Sequence, residues 1–287
     1  MPLRLDRAFL RVSGPDTVGF LDNLLTQDVT RLEDTGVNYA ALLTPQGKIV
    51  ADMFLWSERW LWEESGRTDF TCILIELDRN RASEVSRRLS MYKLRAVLTI
   101  EDVTDSRVAL WAPPPDSIRG GAPDPRLPGA AHGWRAVSGP LAYQPDDGTA
   151  EYEAWRIAAG IPDLARDALL EEVFAGEALL EELNGVAFDK GCFVGQENVS
   201  RMKRRATTRK KLCPIVFEGE AISFGTPVLA GEAEIGSVRT GLAGRAIALL
   251  RLDRALEAAT AGKTLTAGGR EIRLDPPPWL ILPQGPE

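Results

Sequence analysis

The chain has 287 residues, of which 44% are hydrophobic and 26% are charged, as is usual for a soluble globular protein of two or three domains. The net charge of −7 excludes a general coat for nucleic acid or for an anionic membrane, although it is compatible with a local basic patch. Three widely spaced cysteines without a CxxC pair exclude a zinc knuckle or a four-cysteine site within one chain. The sequence shows neither the apolar core of a signal peptide nor a run close to the ~18 apolar residues of a membrane span. We therefore expect a cytoplasmic protein without a membrane anchor.

The N-terminal part of the chain predicts strands interrupted by two helices. Leu21, Leu24 and Leu25 share one face at helical spacing, which indicates an amphipathic helix. Gly47 lies in a tight turn between two apolar strands, which predicts a hairpin. The predicted elements are a strand over 3–12, a helix over 16–27, strands over 39–43, 48–56 and 70–77, a helix over 79–92, and strands over 95–100 and 107–111.

The remainder of the chain begins with a stretch rich in proline and glycine, residues 113–129, which predicts a loop. A helix is predicted over 151–159 and a looser, acidic helical stretch over 171–183. Turn signals separate short strands from residue 209 onward, which predicts a small β-barrel or sandwich. These strands are 211–217, 227–229, 235–240, 246–251 and 271–274. Because strands and helices are mixed without strict βαβ alternation, the sequence predicts an α+β fold.

The densest group of chemically useful residues lies near the middle of the second half. It reads Lys190, Gly191, Cys192, Phe193, Val194, Gly195, Gln196 and Glu197. The glycines allow the backbone to turn tightly or to approach a ligand, and a helix is predicted to begin at Gln196. A nearby lysine and a helix N-terminus favour the thiolate of Cys192, which makes this residue a candidate nucleophile, redox sensor or metal ligand. The alternative is a buried structural cysteine in a glycine-rich turn.

This stretch resembles the signature of the YgfZ family of folate-binding proteins, Lys-Gly-Cys-aromatic-x-Gly-Gln-Glu, at every position. Other segments resemble the same family. They are 12–16 with 20–21 and 25–29, then 41–48 with Asp52, and 155–162. The resemblance covers almost the whole chain, except the proline-rich stretch.

The resemblance implies a fold shared with the T-protein of the glycine cleavage system, an aminomethyltransferase whose three domains surround a folate site. We expect an N-terminal α+β folate-binding domain over 1–105, a central α+β domain with the cysteine motif over 106–205, and a C-terminal small β-barrel over 206–287. The family implies tetrahydrofolate as cofactor and a role in the assembly or repair of iron–sulfur enzymes, including enzymes that modify tRNA. It also implies that Cys192 is the functional thiol, with Lys190 beside it.

The resemblance assigns folate contacts to several polar residues, each of which has an alternative. Asp52 matches a T-protein position where an acidic residue faces the folate, or it is a strand carboxylate that points to water. Arg156 could pair with a folate carboxylate through its planar fork, or it lies on the surface of a helix. Asn23, Gln27 and Asp28 could bind the pterin edge or cap the first helix. The predicted folate-contacting set is completed by Gly191, Gly195, Gln196 and Glu197.

Three other features have weaker implications. Seven basic residues between positions 201 and 211 could attract a polyglutamylated folate tail or a tRNA backbone, or they form a solvated segment between domains. His132 is the only histidine, and nothing in the sequence links it to Cys192, so Cys–His catalysis is not expected. Cys72 and Cys213 are expected to be buried structural residues.

Three functions are compatible with the sequence. In the preferred one the protein is a folate-binding maturation factor, and an iron–sulfur carrier or client protein must be its partner because one cysteine supplies at most one ligand. The second is a folate-dependent one-carbon transferase of the aminomethyltransferase type, in which Asp52 is the positioned carboxylate; this chemistry does not need the motif of Cys192. The third, an RNA-binding module acting through residues 201–211, fits the acidic net charge least. No resident metal is predicted.

Overall fold

The computed structural model describes residues 2–57, 72–127, 132–139, 147–204 and 208–283. The chain forms two compact units, the first comprising residues 1–152 with 183–196 and the second residues 153–182 with 197–287. The first unit is therefore discontinuous in sequence, because the chain leaves it after residue 152 and returns at residue 183. The division into three domains at residues 105 and 205 stays a prediction.

The first unit is built on a five-stranded antiparallel sheet and a smaller, four-stranded one. Its strands are β1 (Leu3–Leu5), β2 (Arg7–Ser13), β3 (Val37–Leu43), β4 (Ile49–Ser57), β5 (Cys72–Asp78), β6 (Thr99–Asp102), β7 (Val108–Ala112), β8 (Ala122–Pro123) and β9 (Trp134–Ser138), and its helices are α1 (Thr17–Leu24), α2 (Leu32–Thr35) and α3 (Arg79–Lys93). The larger sheet has the strand order β3-β4-β5-β2-β6 and the smaller one β1-β7-β9-β8. One face of the larger sheet packs against α1 and α3, burying a core that includes Leu10, Leu21, Ile75 and Leu89, and this burial is the main stabilising contribution.

A network of buried charges joins the two sheets of the first unit. Glu76 on β5 accepts hydrogen bonds from Arg135 on β9 and, at 3.0 Å, from the indole of Trp56 on β4. Arg126 donates to both carboxylate oxygens of Asp124 at 2.9 and 2.7 Å, and Arg135 Nη1 lies 3.7 Å from the same carboxylate. All five side chains are buried. Because a buried charge is costly without a partner, each member of the network depends on the others.

The second unit contains a closed, six-stranded antiparallel barrel. Its helices are α4 (Thr149–Ala159), most of which lies in this unit, α5 (Leu164–Asp167), α6 (Gln196–Arg204) and α7 (Leu252–Thr260), and its strands are β10 (Lys210–Phe217), β11 (Pro227–Ala230), β12 (Ala233–Leu242), β13 (Arg245–Arg251), β14 (Leu265–Ala267) and β15 (Arg270–Leu274). The strand order is β10-β13-β12-β11-β14-β15, and β15 pairs with β10 to close the barrel. Helix α7 packs on it through Leu252, Ala255 and Ala258. The predicted α+β fold with a C-terminal barrel is confirmed.

Most predicted elements are present, with differences at their ends. Helix α1 ends at Leu24 rather than at residue 27, because Thr26 leaves the helix and its backbone N–H donates to Ala41 O at 3.1 Å. The strand predicted over 95–100 begins only at Thr99. The strand predicted over 70–77 begins at Cys72, and residues 70 and 71 lie outside the described residues.

The C-terminal half holds the larger differences. The acidic stretch 171–183 forms turns rather than the predicted helix. Glu171 and Leu179 have φ values of +58° and +62°, and residues in the left-handed region interrupt an α-helix. Six further elements were not predicted, namely α2, β8, β9, α5, α7 and β14, and β8 lies within the stretch 113–129 that was predicted to be a loop. A three-residue strand gives almost no periodicity to detect.

Candidate functional site

The loop that carries the motif cysteine spans residues 184–195 of the first unit and leads into α6. Its beginning lies against the segment that follows α1. Thr26 Oγ1 donates to Gly185 O at 2.6 Å, and Gln27 Nε2 donates to Asn184 O at 2.7 Å. These hydrogen bonds join residues 159 and 157 positions apart, so the beginning of the loop is held by tertiary contacts.

Lys190 holds the loop to the C-terminal end of α1. Its ammonium donates to the backbone carbonyls of Asp22, Leu25 and Gln27 at 2.6, 3.0 and 2.9 Å and lies 2.9 Å from Asp22 Oδ1. Only 1% of the lysine side chain is exposed. Carbonyls at a helix end lack partners within the helix, and the helix dipole there attracts a cation. Lys190 therefore caps α1 and positions the loop, and these hydrogen bonds go to oxygen atoms rather than to the neighbouring thiol.

Phe193, Val194 and Gly195 form the second anchor of the loop. The ring of Phe193 is buried, and Val194 N donates to Asn23 O at 3.2 Å. Gly195 has a φ of +85°, and a Cβ atom there would lie 2.7 Å from Thr44 O in the turn between β3 and β4. Both the backbone conformation and the close approach require glycine at this position.

Cys192 lies between these two anchors and is exposed, as is Gly191 before it. A Cβ atom added at Gly191 would have no heavy atom of the described residues within 4 Å. Gln196 begins α6, as predicted, and its side-chain amide donates to Gly191 O at 3.3 Å, while Glu197 is exposed in the first turn. The thiol is thus held on a loop that is fixed on both sides and open to solvent. This geometry suits a group that reacts with a partner molecule, and it disagrees with the alternative of a buried structural cysteine.

The two other cysteines have different surroundings. Cys213 is buried in β10, and burial, together with the carboxylate of Asp275, raises the pKa of its thiol to about 12. Cys72 is half-buried, and its sulfur accepts a hydrogen bond from Arg11 Nε at 3.0 Å. No disulfide bond joins any two of these three cysteines. The expected burial is confirmed for Cys213 but only in part for Cys72.

Asn23 and Gln27 use their side-chain amides inside the first unit. Asn23 Nδ2 donates to Gly19 O at 2.8 Å. Gln27 binds the loop through its Nε2 and accepts a hydrogen bond from Asp28 N at its Oε1, at 2.9 Å. These contacts favour the helix-capping and loop-anchoring alternative, and contact with a pterin stays a prediction.

Asp52 lies on β4 and is only 9% exposed, so it does not point to water. Its Oδ2 accepts a hydrogen bond from the hydroxyl of Tyr39 at 2.9 Å. The Tyr39 ring packs against Phe54 with 5.3 Å between centroids, and the guanidinium of Arg126 lies 5.8 Å from the tyrosine ring. Asp52 is therefore a buried carboxylate paired with a tyrosine hydroxyl, which excludes the alternative of a carboxylate that points to water, and its contact with a pterin stays a prediction.

Arg156 lies on α4 in the second unit and is fully buried, so its predicted roles need correction. It donates to Glu153 at 2.7 and 2.6 Å, to Asp167 at 2.8 Å, to Ile161 O at 3.3 Å and to Thr240 Oγ1 at 2.8 Å. Burial alone would lower its pKa, but the Asp167 carboxylate and the bonds to Glu153 raise it on balance. These bonds use all five donors of a guanidinium. Arg156 is therefore neither a surface residue nor available to a folate carboxylate, and we do not retain it as a contact.

The basic segment predicted after the motif is partly neutralised in the second unit. Lys203 forms an ion pair with Glu181 at 3.0 Å, and the buried Lys211 pairs with Glu182. Arg205 lies outside the described residues. These ion pairs favour a structural role for the segment over the binding of a polyanion such as a polyglutamylated folate tail or tRNA.

Neither a metal site nor a membrane-spanning helix is found among the residues that the structure describes. No group of three or more histidine, cysteine, aspartate or glutamate side chains there could hold a metal ion. In the same part of the chain, no helix is both long and apolar enough to cross a membrane.

The sequence reasoning missed two residues that position the loop, Asp22 and Thr26. Besides its contact with the loop lysine, Asp22 Oδ1 accepts a hydrogen bond from Val29 N at 2.9 Å. Thr26 is fully buried, and its hydroxyl accepts from Ala41 N at 2.8 Å and donates to Gly185 O. Both residues lie near or within the N-terminal segments that resemble the family, but their partners far along the chain give no local signal.

The sequence matches known proteins over most of its length. The family model described as CAF17, C-terminal beta-barrel domain, matches residues 209–281. The human mitochondrial iron–sulfur cluster assembly factor IBA57 is 30% identical, and the alignment covers 86% of this chain and 76% of the human protein. The mitochondrial IBA57 homologues of Neurospora crassa and Pyricularia oryzae are 29% and 30% identical over 75% and 74% of this chain. The chain spans about half the length of these two fungal relatives, 53% and 56%.

A solved structure shows the same fold. The aminomethyltransferase T of the glycine cleavage system from Bartonella henselae matches with a TM-score of 0.71, covering 97% of this chain and 86% of that chain at 14% identity. At this identity the likeness shows the fold alone. The predicted T-protein-like fold is thereby confirmed.

The prediction of a cytoplasmic protein is wrong by these comparisons. The relatives from humans, mouse and Neurospora crassa are all named as mitochondrial proteins. The prediction rested on cysteine usage and on the lack of a signal peptide, and neither feature separates one reducing compartment from another.

Membership of a family follows from the extent of the match to human IBA57 and from the fold. The identity of 30% extends over three quarters of the human protein, and the barrel family model covers the C-terminal strands. The chain therefore belongs to the YgfZ-like family of IBA57 iron–sulfur cluster assembly factors.

Proposed function

We propose that the protein supports the assembly of iron–sulfur clusters in other proteins and that Cys192 is the thiol that contacts the cluster. The observation that carries this proposal is the exposure of Cys192 on a loop fixed on both sides, by Lys190 and by Gly195. An exposed thiol on a positioned loop reaches a cluster on another protein, whereas a buried thiol does not. Family membership supports the same function.

In this function, Cys192 acts as a single, transient ligand of an iron atom in the cluster. The thiol loses its proton to solvent, and the sulfur donates a lone pair to an iron atom of the cluster. One cysteine supplies one ligand, so the other ligands come from an iron–sulfur carrier or client protein. Lys190 positions the loop without touching the cluster.

Tetrahydrofolate and tRNA-modifying clients are the finer parts of the proposal. The surroundings of Asp52 support folate binding, since a buried carboxylate, the Tyr39 hydroxyl and Arg126 lie close together. When bound, tetrahydrofolate would supply a reduced pterin, which Asp52 would hold by its polar edge. Asn23, Gln27 and the motif residues Gly191, Gly195, Gln196 and Glu197 remain candidate contacts. The likeness to an aminomethyltransferase concerns the fold alone, so we do not carry the transferase activity over.

Cluster transfer tests the role of Cys192. A carrier protein loaded with a cluster is mixed with the wild-type protein, and the visible circular dichroism of the cluster is followed over time. We expect the signal to change with the wild type and with Cys72→Ser, and to stay that of the carrier with Cys192→Ser. Equal transfer by the wild type and Cys192→Ser would refute the proposed role.

Calorimetric titration with tetrahydrofolate tests the folate site separately. We expect saturable binding that Asp52→Ala weakens at least tenfold. The exposed strand residue Asp102 provides the control, because Asp102→Asn should leave the affinity unchanged. Folded protein that binds no tetrahydrofolate would remove the ligand from the proposal and leave the role of the thiol standing.

A further inference from the structure

An exposed apolar surface lies at the end of α3. Four neighbouring side chains, Met91, Tyr92, Leu94 and Val97, are 63%, 36%, 88% and 65% exposed, and we call them the 91–97 patch. Scattered exposed apolar residues are ordinary, but four of them within seven positions are unusually concentrated, and such a concentration is typical of an interaction site.

Several basic residues lie within and just before this patch in the sequence. Arg87, Arg88, Lys93 and Arg95 all lie between positions 87 and 95, in a chain whose net charge is −7. Glu84 pairs with Arg87 and Arg88, whereas no ion pair to Lys93 or Arg95 occurs in the part of the chain that the structure describes. Lys93 and Arg95 therefore provide the positive charge that favours acidic groups on a partner.

Helix α1 connects the 91–97 patch to the motif loop. At its beginning, Asp16 accepts a hydrogen bond from Val97 N at 2.7 Å. Near its end, Asn23 O accepts a hydrogen bond from Val194 N at 3.2 Å, two positions from Cys192. Seven residues of helix rise by about 10 Å, so the patch and the thiol lie within the reach of one bound protein.

The solvent side of α1 is suited to close contact with another molecule. Asp16, Gly19 and Asn23 are exposed and share one side of the helix. A Cβ atom added at Gly19 would have no heavy atom within 4 Å, and its φ is not positive. Glycine within a helix is destabilising relative to alanine, and no contact among the described residues requires it here. A bare backbone at this point permits the close approach of a partner.

We propose that the 91–97 patch and the solvent side of α1 form one docking surface for an acidic iron–sulfur carrier protein. The contact surface of the carrier bears aliphatic or aromatic side chains rimmed by aspartate and glutamate, and docking places its cluster beside Cys192. This inference rests on the proposed function and adds the chemistry of the partner and the place where it binds.

A protein partner fits the surface better than an anionic membrane. The solvent side of α1 is polar around Asp16 and Asn23, which suits a rim of hydrogen bonds and opposes insertion into lipid.

Binding of a purified acidic iron–sulfur carrier in its apo form tests the docking surface. The dissociation constant is measured by biolayer interferometry for the full-length wild type and for the variants L94S/V97S, K93E/R95E and G19F. We expect L94S/V97S and G19F to weaken binding at least tenfold, and K93E/R95E to slow association and to reduce its dependence on salt. All these positions are exposed or half-buried, so the thermal midpoint should stay within a few degrees of the wild type.

Two control variants keep the test specific. L242S removes an apolar side chain that is 43% exposed on β12 of the second unit, and G19A keeps the helix surface narrow. Both should bind the apo carrier within about twofold of the wild type. Vesicles of phosphatidylcholine and phosphatidylglycerol in a 3:1 ratio serve as the second probe, and no binding to them is expected.

The outcomes separate this inference from the proposed function. Equal dissociation constants for the wild type and for L94S/V97S, K93E/R95E and G19F would overturn the docking surface, while the cluster-transfer result with Cys192→Ser would still stand. Vesicle binding that depends on Leu94 and Val97, with carrier binding unchanged, would overturn it in favour of a membrane. A wild-type protein that binds no carrier would count against both.

Discussion

At the scale of single residues, Lys190 contributes through its position at the end of α1. A buried ammonium among carbonyl oxygens and one carboxylate stabilises the folded state only while all partners are present. Its place in the motif therefore has a structural reason that the sequence pattern does not reveal. The pattern alone suggests that the lysine acts on the thiol two positions away.

Replacement of the buried Lys190 should destabilise the protein more than replacement of an exposed lysine that forms a surface ion pair. Lys190→Met removes the ammonium from three backbone carbonyls and from Asp22, which keeps only its hydrogen bond from Val29 N, so we expect the free energy of unfolding to fall by at least about 2 kcal/mol. Lys203→Met is the matched control, because Lys203 and Glu181 are 44% and 38% exposed, and a surface pair contributes about 0–1 kcal/mol. Urea titration followed by circular dichroism measures both, and equal losses for the two variants would contradict the assigned role.

The thiols should differ in reactivity according to their exposure. At pH 8 we expect iodoacetamide to modify Cys192 within minutes, because the side chain is exposed. Cys213 should resist, since it is buried and its pKa is raised to about 12. Mass spectrometry of peptides identifies the modified residue, and the same reaction in 8 M urea serves as control for chemical competence. Modification of native Cys213 as fast as Cys192 would disagree with the structure.

At the scale of elements, two glycines of the same loop have different reasons to be glycine. Gly195 requires a positive φ and lies against Thr44 O, whereas Gly191 has open space around it. Left-handed backbone costs a residue with a side chain about 1–2 kcal/mol, and the clash at Thr44 adds to this. We expect Gly195→Ala to lower the free energy of unfolding by at least about 2 kcal/mol, and Gly191→Ala to change it by less than about 0.5 kcal/mol.

The same pair tests whether the loop must be held for the thiol to act. Cluster transfer should be slowed by Gly195→Ala, which displaces the second anchor, and should be unaffected by Gly191→Ala. Thermal unfolding of both variants gives the stability comparison. A Gly191→Ala variant that is as unstable as Gly195→Ala would show that the loop is packed differently from the structure described.

The sequence predicted correctly those elements whose formation depends on neighbouring residues in the chain. The hairpin of β3 and β4 and the helix α3 follow from turn chemistry and from apolar spacing. The early end of α1 does not, because the bond from Thr26 N to Ala41 O is a tertiary contact that outweighs helix propensity. The hydrogen bonds of Lys190 could not be predicted from local pattern for the same reason, since its partners lie up to 168 residues away in the sequence.

At the scale of the whole molecule, the buried charges of the first unit make its stability depend on pH. Burial, together with the positive charge of Arg126, lowers the pKa of His132 to about 4 from 6.5. Between these values the unfolded chain binds a proton that the folded protein does not, so the free energy of unfolding falls as the pH decreases through this window. Burial would raise the pKa of Asp124, but Arg126 and Arg135 lower it on balance, so its stabilising contribution is lost at lower pH still.

Urea titrations between pH 7 and pH 5 measure this dependence. For the wild type we expect the free energy of unfolding to fall by about 1–2 kcal/mol between pH 7 and pH 5, from the shift in the pKa of His132 alone. His132→Gln should reduce the slope, whatever its effect on stability at pH 7. An unchanged slope in this variant would assign the pH dependence to other groups.

The discontinuous first unit also affects how the protein is made on the ribosome. The carbonyl of Gln27 is synthesised 163 residues before the ammonium that it binds, an interval of roughly 8–30 s at about 5–20 residues per second. Residues 153–182, which belong to the second unit, are translated within this interval. The C-terminal end of α1 therefore remains uncapped while part of the second unit is synthesised. The cysteine loop is the last segment of the first unit to leave the ribosome.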